Sequence, residues 1–486
     1  MRRPHAKRPA GLFLPLDPAA ATPLYRQLYT GVREAILAGR VAPGSGLPSS
    51  RALAEELGVS RNTVILAFDQ LAAEGYVEGT ARSGTRVAAV PVNPPALERP
   101  RRRGPGPSVR GRAIAATPMA ALSRGQTPAV PFRAGVPALD HFPVSLWSRL
   151  TARRWRHHPA LEYGDPAGYA PLRDAIAEYV RVARGARCVA GQVIVTGGSQ
   201  QGVDLAARVL LDPGDAVWME DPGYTGARTA LLAAGGRLVP VPVDADGLAV
   251  DQAERMAPDA RMAYASPSHQ FPLGITMSAG RRLALLRWAA RAGAWVLEDD
   301  YDSEFRYDAR PLASLQGMDE EGRVIYVGTF SKTLFPALRL GYLIVPPELV
   351  EAFRAARAVS DRHSPTMDQA VLADFLAGGH FARHVRRMRR LYAERQEVLV
   401  DAVRRSLGDR LRVVPSAAGM HLVGWLERGQ DDVEVSARAA ALGVEAAPLS
   451  RYAMRRPERG GLLLGWAGYA PEAIREGAER LGAALG

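Results

Sequence analysis

The segment richest in chemistry is Gly328-Thr329-Phe330-Ser331-Lys332-Thr333-Leu334-Phe335-Pro336-Ala337-Leu338-Arg339. A lysine after an apolar run is ordinary, but here the hydroxyls of Thr329 and Ser331 precede it and the guanidinium of Arg339 follows. That set surrounds an amine suited to a Schiff base with ligands for a phosphate. Upstream, the apolar run Trp295-Val296-Leu297 ends in Glu298-Asp299-Asp300-Tyr301-Asp302-Ser303-Glu304, and open α/β sheets bind ligands at the carboxyl ends of their strands. Earlier still, Thr196-Gly197-Gly198-Ser199-Gln200-Gln201-Gly202 lies between Val193-Ile194-Val195 and a helical stretch. Its glycines let backbone N–H groups and a helix dipole approach a phosphate, with Ser199 and Gln200 as candidate ligands.

A different chemistry stands near the N-terminus. Ser60-Arg61-Asn62-Thr63 opens a helical stretch with polar, hydrogen-bonding side chains, as the second helix of a helix-turn-helix must where it enters the major groove. Arg61 can reach guanine edges or phosphate, Asn62 an adenine edge, and Thr63 a phosphate or a thymine methyl. Ser49, Ser50 and Arg51 open the preceding helix and can clamp backbone phosphates.

The elements that position these groups follow from periodicity. Leu24, Leu28, Val32, Ile36 and Leu37 recur at helical spacing up to Gly39, after Pro23 at a first-turn position. Ser50 to Gly58 reads as a short helix closed by glycine, and Arg61 to Leu71 as a third helix capped by Ser60 with Val64, Phe68 and Leu71 inward. Gly75–Gly79 and Gly84–Ala88 read as strands around the tip Thr80-Ala81-Arg82-Ser83-Gly84. This is the order of a winged helix, an α+β reader over residues 22–88 behind an N-terminal tail of 1–21. Residues 89–128 turn to Pro, Gly and Arg and read as an extended tether. From 129 to 486, runs such as Ala216–Met219, Trp295–Leu297 and Val324–Val327 alternate with amphipathic stretches, which predicts an α/β domain with a mainly parallel, doubly wound sheet.

The bulk properties agree with a DNA-binding, multidomain chain. The net charge of +12 favours polyanionic partners, although solvated arginine-rich helix faces account for it equally well. The single cysteine, Cys188, excludes an intrachain disulfide framework and a cysteine-based zinc cage and fits a reducing cytoplasm. No apolar run is long enough to span a membrane, and Pro15, Asp17 and Pro18 interrupt what a signal peptide would need to keep apolar, so export is not expected. No metal site is expected.

Leu47-Pro48-Ser49-Ser50-Arg51-Ala52-Leu53-Ala54, Gly58-Val59-Ser60-Arg61-Asn62-Thr63-Val64 and Leu71-Ala72-Ala73-Glu74-Gly75-Tyr76-Val77 resemble the GntR-type winged-helix regulators. The resemblance implies that Arg51, Arg61 and Thr63 carry the main DNA contacts, with Arg82 and Gly84 in a wing at the minor groove. The Lys332 segment resembles the pyridoxal phosphate (PLP) lysine motif of fold-type I aminotransferases. That resemblance implies a Schiff base on Lys332, Asp299 as partner of the ring nitrogen, Tyr301 as donor to the phenolic oxygen, and Tyr224 of Glu220-Asp221-Pro222-Gly223-Tyr224 stacked on the ring. Asp300, Asp302 and Glu304 are then solvent or structural acids. Ser266-Pro267-Ser268-His269-Gln270-Phe271-Pro272-Leu273-Gly274 stands where those enzymes have an Asn-Pro-Thr-Gly turn, and His269 is expected to order that turn rather than act as a base. Asp165 to Tyr169, with Leu172 and Arg173, is similar to their early substrate-side segment. The two resemblances in this order are those of the MocR/GabR family. They imply homodimers with exchanged readers, operator DNA as partner, PLP as cofactor and regulation of transcription.

Working aminotransferases carry a late-strand arginine that grips the substrate carboxylate with its fixed fork. In Gly461-Leu462-Leu463-Leu464-Gly465-Trp466-Ala467 that place falls to Leu463, and Arg451, Arg455 and Arg456 of the preceding loop are either substitutes for the clamp or surface arginines. The expectation is a regulator that senses PLP or an amine or amino-acid effector. The alternative is an aminotransferase with a DNA-binding appendage, and a purely architectural DNA-binding protein leaves Lys332, Asp299 and Arg339 unexplained.

Overall fold

A computed structural model describes residues 14–80, 84–89, 106–117, 130–157, 161–307 and 312–486. It divides into two compact units, Met1–Gly106 and Pro107–Gly486.

The first unit contains α1 (Leu24–Leu37), α2 (Ser50–Leu57), α3 (Arg61–Ala73) and the antiparallel hairpin β1 (Val77–Thr80) and β2 (Gly84–Val87). The helix limits follow from local signals. Ser49 and Ser60 each accept a backbone N–H of the following first turn, from Ala52 and Thr63 respectively, and Gly58 ends α2 in the left-handed conformation at φ 66°. Leu28, Val32, Ile36, Val64, Phe68 and Leu71 form the core with Leu47, Leu53 and Val77. The strands are tied to the turn before α2 by the N–H of Leu47 donating to Thr85 and that of Val87 to Ser45. Leu14 and Leu16, ahead of the expected start of the reader, also pack on this core, and the Gln27 amide donates to the carbonyls of Asp17 and Thr22.

Within the stretch expected as tether, Val109–Ala115 forms a short helix whose first turn is capped by Ser108. The cap and the helix-favouring Ala and Arg residues account for the difference from an extended segment, although no residue of this helix is buried.

The second unit is built on an eight-stranded sheet among the described residues, ordered β3 (Val193–Thr196), β10 (Gly341–Ile344), β9 (Val324–Thr329), β8 (Trp295–Asp300), β7 (Met262–Ala265), β4 (Ala216–Asp221), β5 (Arg237–Asp244), β6 (Gly247–Leu248). From β9 to β5 the neighbours are parallel, whereas β10 runs against both of its own. The sheet is therefore mixed but mainly parallel. Helices cover it, and its strands β3, β4, β8 and β9 are buried nearly along their lengths, as a sheet coated on two faces requires, while β5 toward the β6 edge is only partly buried. A second, antiparallel sheet of β11 (Leu411–Arg412), β12 (His421–Leu426), β14 (Gly461–Gly465) and β13 (Ala447–Pro448) packs with the long helix His380–Leu407 and the last helix Pro471–Leu485. None of the described helices is long and apolar enough to cross a membrane.

Candidate functional site

The carboxyl ends of the parallel strands converge on one cavity of about 510 Å³ lined by Ser199, Tyr224, Tyr264, Phe271, Asp299, Tyr301 and Lys332. Most of these groups stand at or within a few residues of the end of a buried strand. Ser199 follows β3, Tyr224 follows β4, Phe271 follows β7, Asp299 and Tyr301 close β8, and Lys332 follows β9. The small second sheet supplies the opposite wall with Met420, His421, Ala447 and Tyr452, and Arg133, Gly135, Glu445 and Arg451 complete it.

Lys332 Nζ donates to the carbonyl of Gly135 at 2.9 Å, and Gly135 takes φ +73°, a conformation that favours glycine; a Cβ there would stand 2.6 Å from the amine and displace it. Burial lowers the lysine's affinity for its proton, which Asp302 and Asp299 partly restore. Asp299 accepts the Tyr264 hydroxyl on Oδ2 at 2.6 Å, while Oδ1 is buried without a partner among the described residues. Burial pushes this carboxyl up to about 7. An acid so held lacks a cationic hydrogen-bond donor at Oδ1, which a protonated ring nitrogen would supply.

The anion cradle lies at the other end. Gly198, at φ +106°, precedes the helix Ser199–Leu210, and a Cβ there would come within 3.3 Å of the Arg339 guanidinium. Helix first-turn N–H groups, the Ser199 hydroxyl and Arg339 therefore gather at one point. Arg339 itself is at φ 51°, a left-handed conformation that turns the chain after Pro336–Leu338. Thr329 Oγ1 accepts the Ser331 N–H at 3.2 Å and shapes the turn before Lys332. The side chain of Gln200 is spent differently from the expected phosphate contact: its amide receives the Tyr224 hydroxyl at 3.1 Å and donates to Gly226 at 2.9 Å, which fixes the tyrosine ring.

The acids around Asp299 are partnered rather than solvated; Asp300 and Asp302 are buried, and Asp302 also lines the cavity. Asp300 is ion-paired with the buried Arg184 at 2.6 Å, Glu304 accepts Tyr179 at 2.6 Å, and Asp302 meets His269 Nδ1 at 3.1 Å. His269, Asp302 and His421 bring donor atoms within 4.8 Å of one another, and His269 already bonds both Asp302 and Tyr301. Leu463 is buried in β14 beside Val423 and Ala447 and contributes no charge. Of the three loop arginines only Arg451 lines the cavity; Arg455 gives its N–H to Asp221, and Arg456 lies exposed 4.0 Å from Asp431. Arg173 is also structural, donating to the carbonyl of Val193.

Sequence reasoning missed Gly135, Arg133, Tyr264, His421, Glu445 and Tyr452. Tyr264 carried one usable signal: it sits in the short apolar run Met262-Ala263-Tyr264-Ala265 directly before the Ser266–Gly274 segment, and the structure pairs it with Leu297 of the acid-bearing strand. The others reach the cavity only through tertiary folding.

On the reader, Ser49, Arg51, Ser60, Arg61, Asn62 and Gly84 are exposed and Thr63 is half-buried. Arg61 Nε donates to Ser50 Oγ at 3.3 Å, which joins the starts of α2 and α3 into one polar surface. Thr63 Oγ1 lies 2.8 Å from Ser60 Oγ. Gly84 begins β2 at φ 79°, a conformation that favours glycine, and Arg82 lies outside the described residues.

Residues 24–87 match the bacterial regulatory proteins of the gntR family and residues 129–442 the aminotransferase class I and II family. The chain is 44% identical over 476 residues to "Probable rhizopine catabolism regulatory protein MocR" of Rhizobium meliloti, covering 97% of this chain and 96% of that one. It is 32% identical over 474 residues to the pyridoxine biosynthesis transcriptional regulator PdxR of Corynebacterium glutamicum, covering 96% and 97%. Among solved structures, the α-aminoadipate aminotransferase LysN of Thermus thermophilus superposes with a TM-score of 0.71 at 31% identity, over 78% of this chain and 96% of that one. A GntR reader ahead of an aminotransferase-type half, matched along nearly its whole length by regulators of that same composition, makes this chain a member of the MocR family of transcription regulators.

Proposed function

We propose that this regulator binds PLP at Lys332 and reads the state of that site out as operator binding. One observation carries the proposal: the unpartnered, buried Oδ1 of Asp299 shares a single cavity with the Lys332 amine, which has an anion cradle of Ser199 and Arg339 nearby. The donor set fits PLP group by group: Asp299 for the ring nitrogen, Ser199, Arg339 and the helix N–H groups for the phosphate, Tyr224 against the ring, and Tyr301 for the phenolic oxygen. When bound, PLP supplies an electrophilic carbon that captures amines. Lys332 holds it, Asp299 orients it, and the aromatic wall of Tyr224, Phe271 and Tyr452 excludes water from it.

The effector is PLP itself or an amine or amino acid that competes with Lys332 for it. It shifts transcription only by differing in affinity between two states of the regulator. Operator DNA meets the exposed starts of α2 and α3, two readers in a homodimer engage repeated half-sites, and the protein works in the cytoplasm. The alternative, a turning-over aminotransferase, draws on the likeness to LysN and on Arg451 at the cavity. Leu463 in place of a clamp arginine weighs against it.

The test is the visible spectrum of the purified protein with PLP, followed by borohydride reduction and peptide mapping. The expected result is a visible band and a reduced label on Lys332, both lost in Lys332→Ala. A label on another lysine, or a band that survives in Lys332→Ala, refutes the site. Many turnovers with an amino donor and a keto acceptor would favour the enzyme.

A further inference from the structure

Behind Tyr301 lies a hydrogen-bonded set that holding PLP does not itself require. His269 Nδ1 stands 3.1 Å from both carboxylate oxygens of Asp302 and 3.0 Å from the Tyr301 hydroxyl. The side chains of His269 and Asp302 are 1% and 2% exposed. The space around the imidazole admits nothing larger: a Cβ on Gly419 would collide with the ring, and one on Gly274 would stand 3.2 Å from Nε2.

An ionised carboxylate against Nδ1 demands a proton on that nitrogen, because the other tautomer sets a lone pair against negative oxygens. The same proton removes Nδ1 as an acceptor, so the Tyr301 hydroxyl cannot donate to it. Nε2 is then left as a bare acceptor, and it has no partner among the described residues. That is the cheaper of the two orphans, since buried unpaired N–H groups are rarer than under-satisfied acceptors. The O–H of Tyr301 remains for an acceptor on its other side, where the tyrosine lines the cavity with Lys332 and Asp299.

We infer that His269 and Asp302 are positioning residues: Asp302 fixes the imidazole as its Nδ1–H tautomer, and this keeps Tyr301 a donor toward an anionic oxygen of the ligand held at Lys332. The inference rests on the PLP reading for the identity of that ligand. The surrounding charges agree with the donor role. Burial, then Asp302, Asp299, Glu220 and Asp300, hold the Tyr301 phenol well into its protonated range, and Lys332 faces Asp299 and Asp302 across the cavity. His421, whose ring centre is 5.1 Å from that of His269, is held well below the usual histidine range, chiefly by burial.

Two measurements test it. The first is a long-range proton–nitrogen spectrum of cofactor-free protein labelled with 15N-histidine, the His269 signals being assigned by their loss in His269→Gln. The expected pattern is Nδ1–H, lost in Asp302→Asn; an Nε2–H imidazole in the unaltered protein overturns the proposal. This readout needs no PLP, so failure of PLP to bind Lys332 would remove the cofactor reading and leave the tautomer decided. The second is the pH midpoint of the visible absorbance of bound PLP. Tyr301→Phe is expected to move it upward by about one pH unit, because losing a donor raises the proton affinity of the anionic oxygen. Asp302→Asn moves it in the same direction, and the double variant moves it no further than Tyr301→Phe alone. Additive shifts, or an unmoved midpoint in Asp302→Asn, leave Asp302 a purely structural acid and overturn the proposal. If Asp302→Asn does not fold, His269→Gln takes its place in the cycle.

Discussion

The two halves of this regulator arrange their working residues in opposite ways. In the reader, Ser49 to Arg51 and Ser60 to Thr63 are nearly contiguous, mostly exposed, and held by caps that bond within three residues. In the effector half, Gly135, Ser199, Tyr224, Asp299, Lys332 and Tyr452 span most of the chain, and a cavity gathers them. DNA is a large external surface that exposed helix ends can meet. A small ligand must be surrounded, and surrounding it brings ionisable groups into burial with the altered proton affinities that follow. Substitutions in the reader should therefore act on binding with little cost to folding, whereas those in the cavity should disturb ligand, protonation and stability together.

The largest effect expected of such a comparison is at Asp299. Asp299→Ala removes the carboxylate proposed to hold the ring nitrogen by a charge-assisted hydrogen bond, worth about 1.5–3 kcal/mol, so the PLP dissociation constant should rise roughly 10- to 100-fold in an absorbance titration. An unchanged constant would detach Asp299 from the cofactor. Acidity sharpens the contrast. Glu220, Glu298 and Asp299 are each pushed up to about 7 by burial, so between about pH 4 and pH 7 the folded state binds more protons than the unfolded chain, and stability falls as pH rises through that window. In the reader, Glu74 is held below its usual range by the hydroxyl of Tyr29 and then by Gln70, so its contribution is present above about pH 4 and lost on acidification. Calorimetry of cofactor-free protein should show the effector-half transition rising from about pH 8 to pH 5 while the reader's does not. Parallel movement of both would break the distinction.

Next in size is Arg61→Ala. If Arg61 reads a base, operator affinity falls by about 1–3 kcal/mol and specificity at that base pair relaxes; if it meets phosphate, the loss is uniform across sequences and the salt dependence becomes shallower. In either case the PLP spectrum and titration should be unaltered. Anisotropy titrations on operator and scrambled DNA at two salt concentrations separate the outcomes.

The same contrast decided what could be read from the sequence. Ser49, Ser60 and Gly58 mark helix limits because caps act over three or four residues, so α2 and α3 were legible almost to their ends. Leu14 and Leu16 were not, since Pro15, Asp17 and Pro18 conceal a segment that packs on the reader core only in three dimensions. In the effector half, the segments that carry Ser199, Asp299 and Lys332 were legible because an apolar run followed by polar residues marks a sheet edge, whereas Asp299 among its acidic neighbours and Tyr224 were singled out by the resemblance to fold-type I aminotransferases. The carbonyl that receives the Lys332 amine comes from Gly135, 197 residues away, and the His421 wall from a second sheet that no local pattern announced. Gln200 shows the limit from the other side: its place after the glycines was read correctly, but the use of its side chain depended on where Tyr224 and Gly226 folded.

The smallest effect discriminates between cap and contact within the reader. Ser60 Oγ accepts the Thr63 N–H at 3.1 Å and lies 2.8 Å from the Thr63 hydroxyl, so one side chain both starts α3 and orients a candidate DNA contact. Ser60→Ala removes the cap and should destabilise the reader by about 1 kcal/mol in denaturant unfolding. It also frees the Thr63 hydroxyl, so operator affinity should fall, but by less than in Arg61→Ala. Ser49→Ala removes the corresponding cap of α2 at a similar cost and serves as the control. If Ser60→Ala weakens DNA binding as much as Arg61→Ala while stability is unchanged, Ser60 touches the DNA directly, and the separation of folding from recognition in the reader ends at that residue.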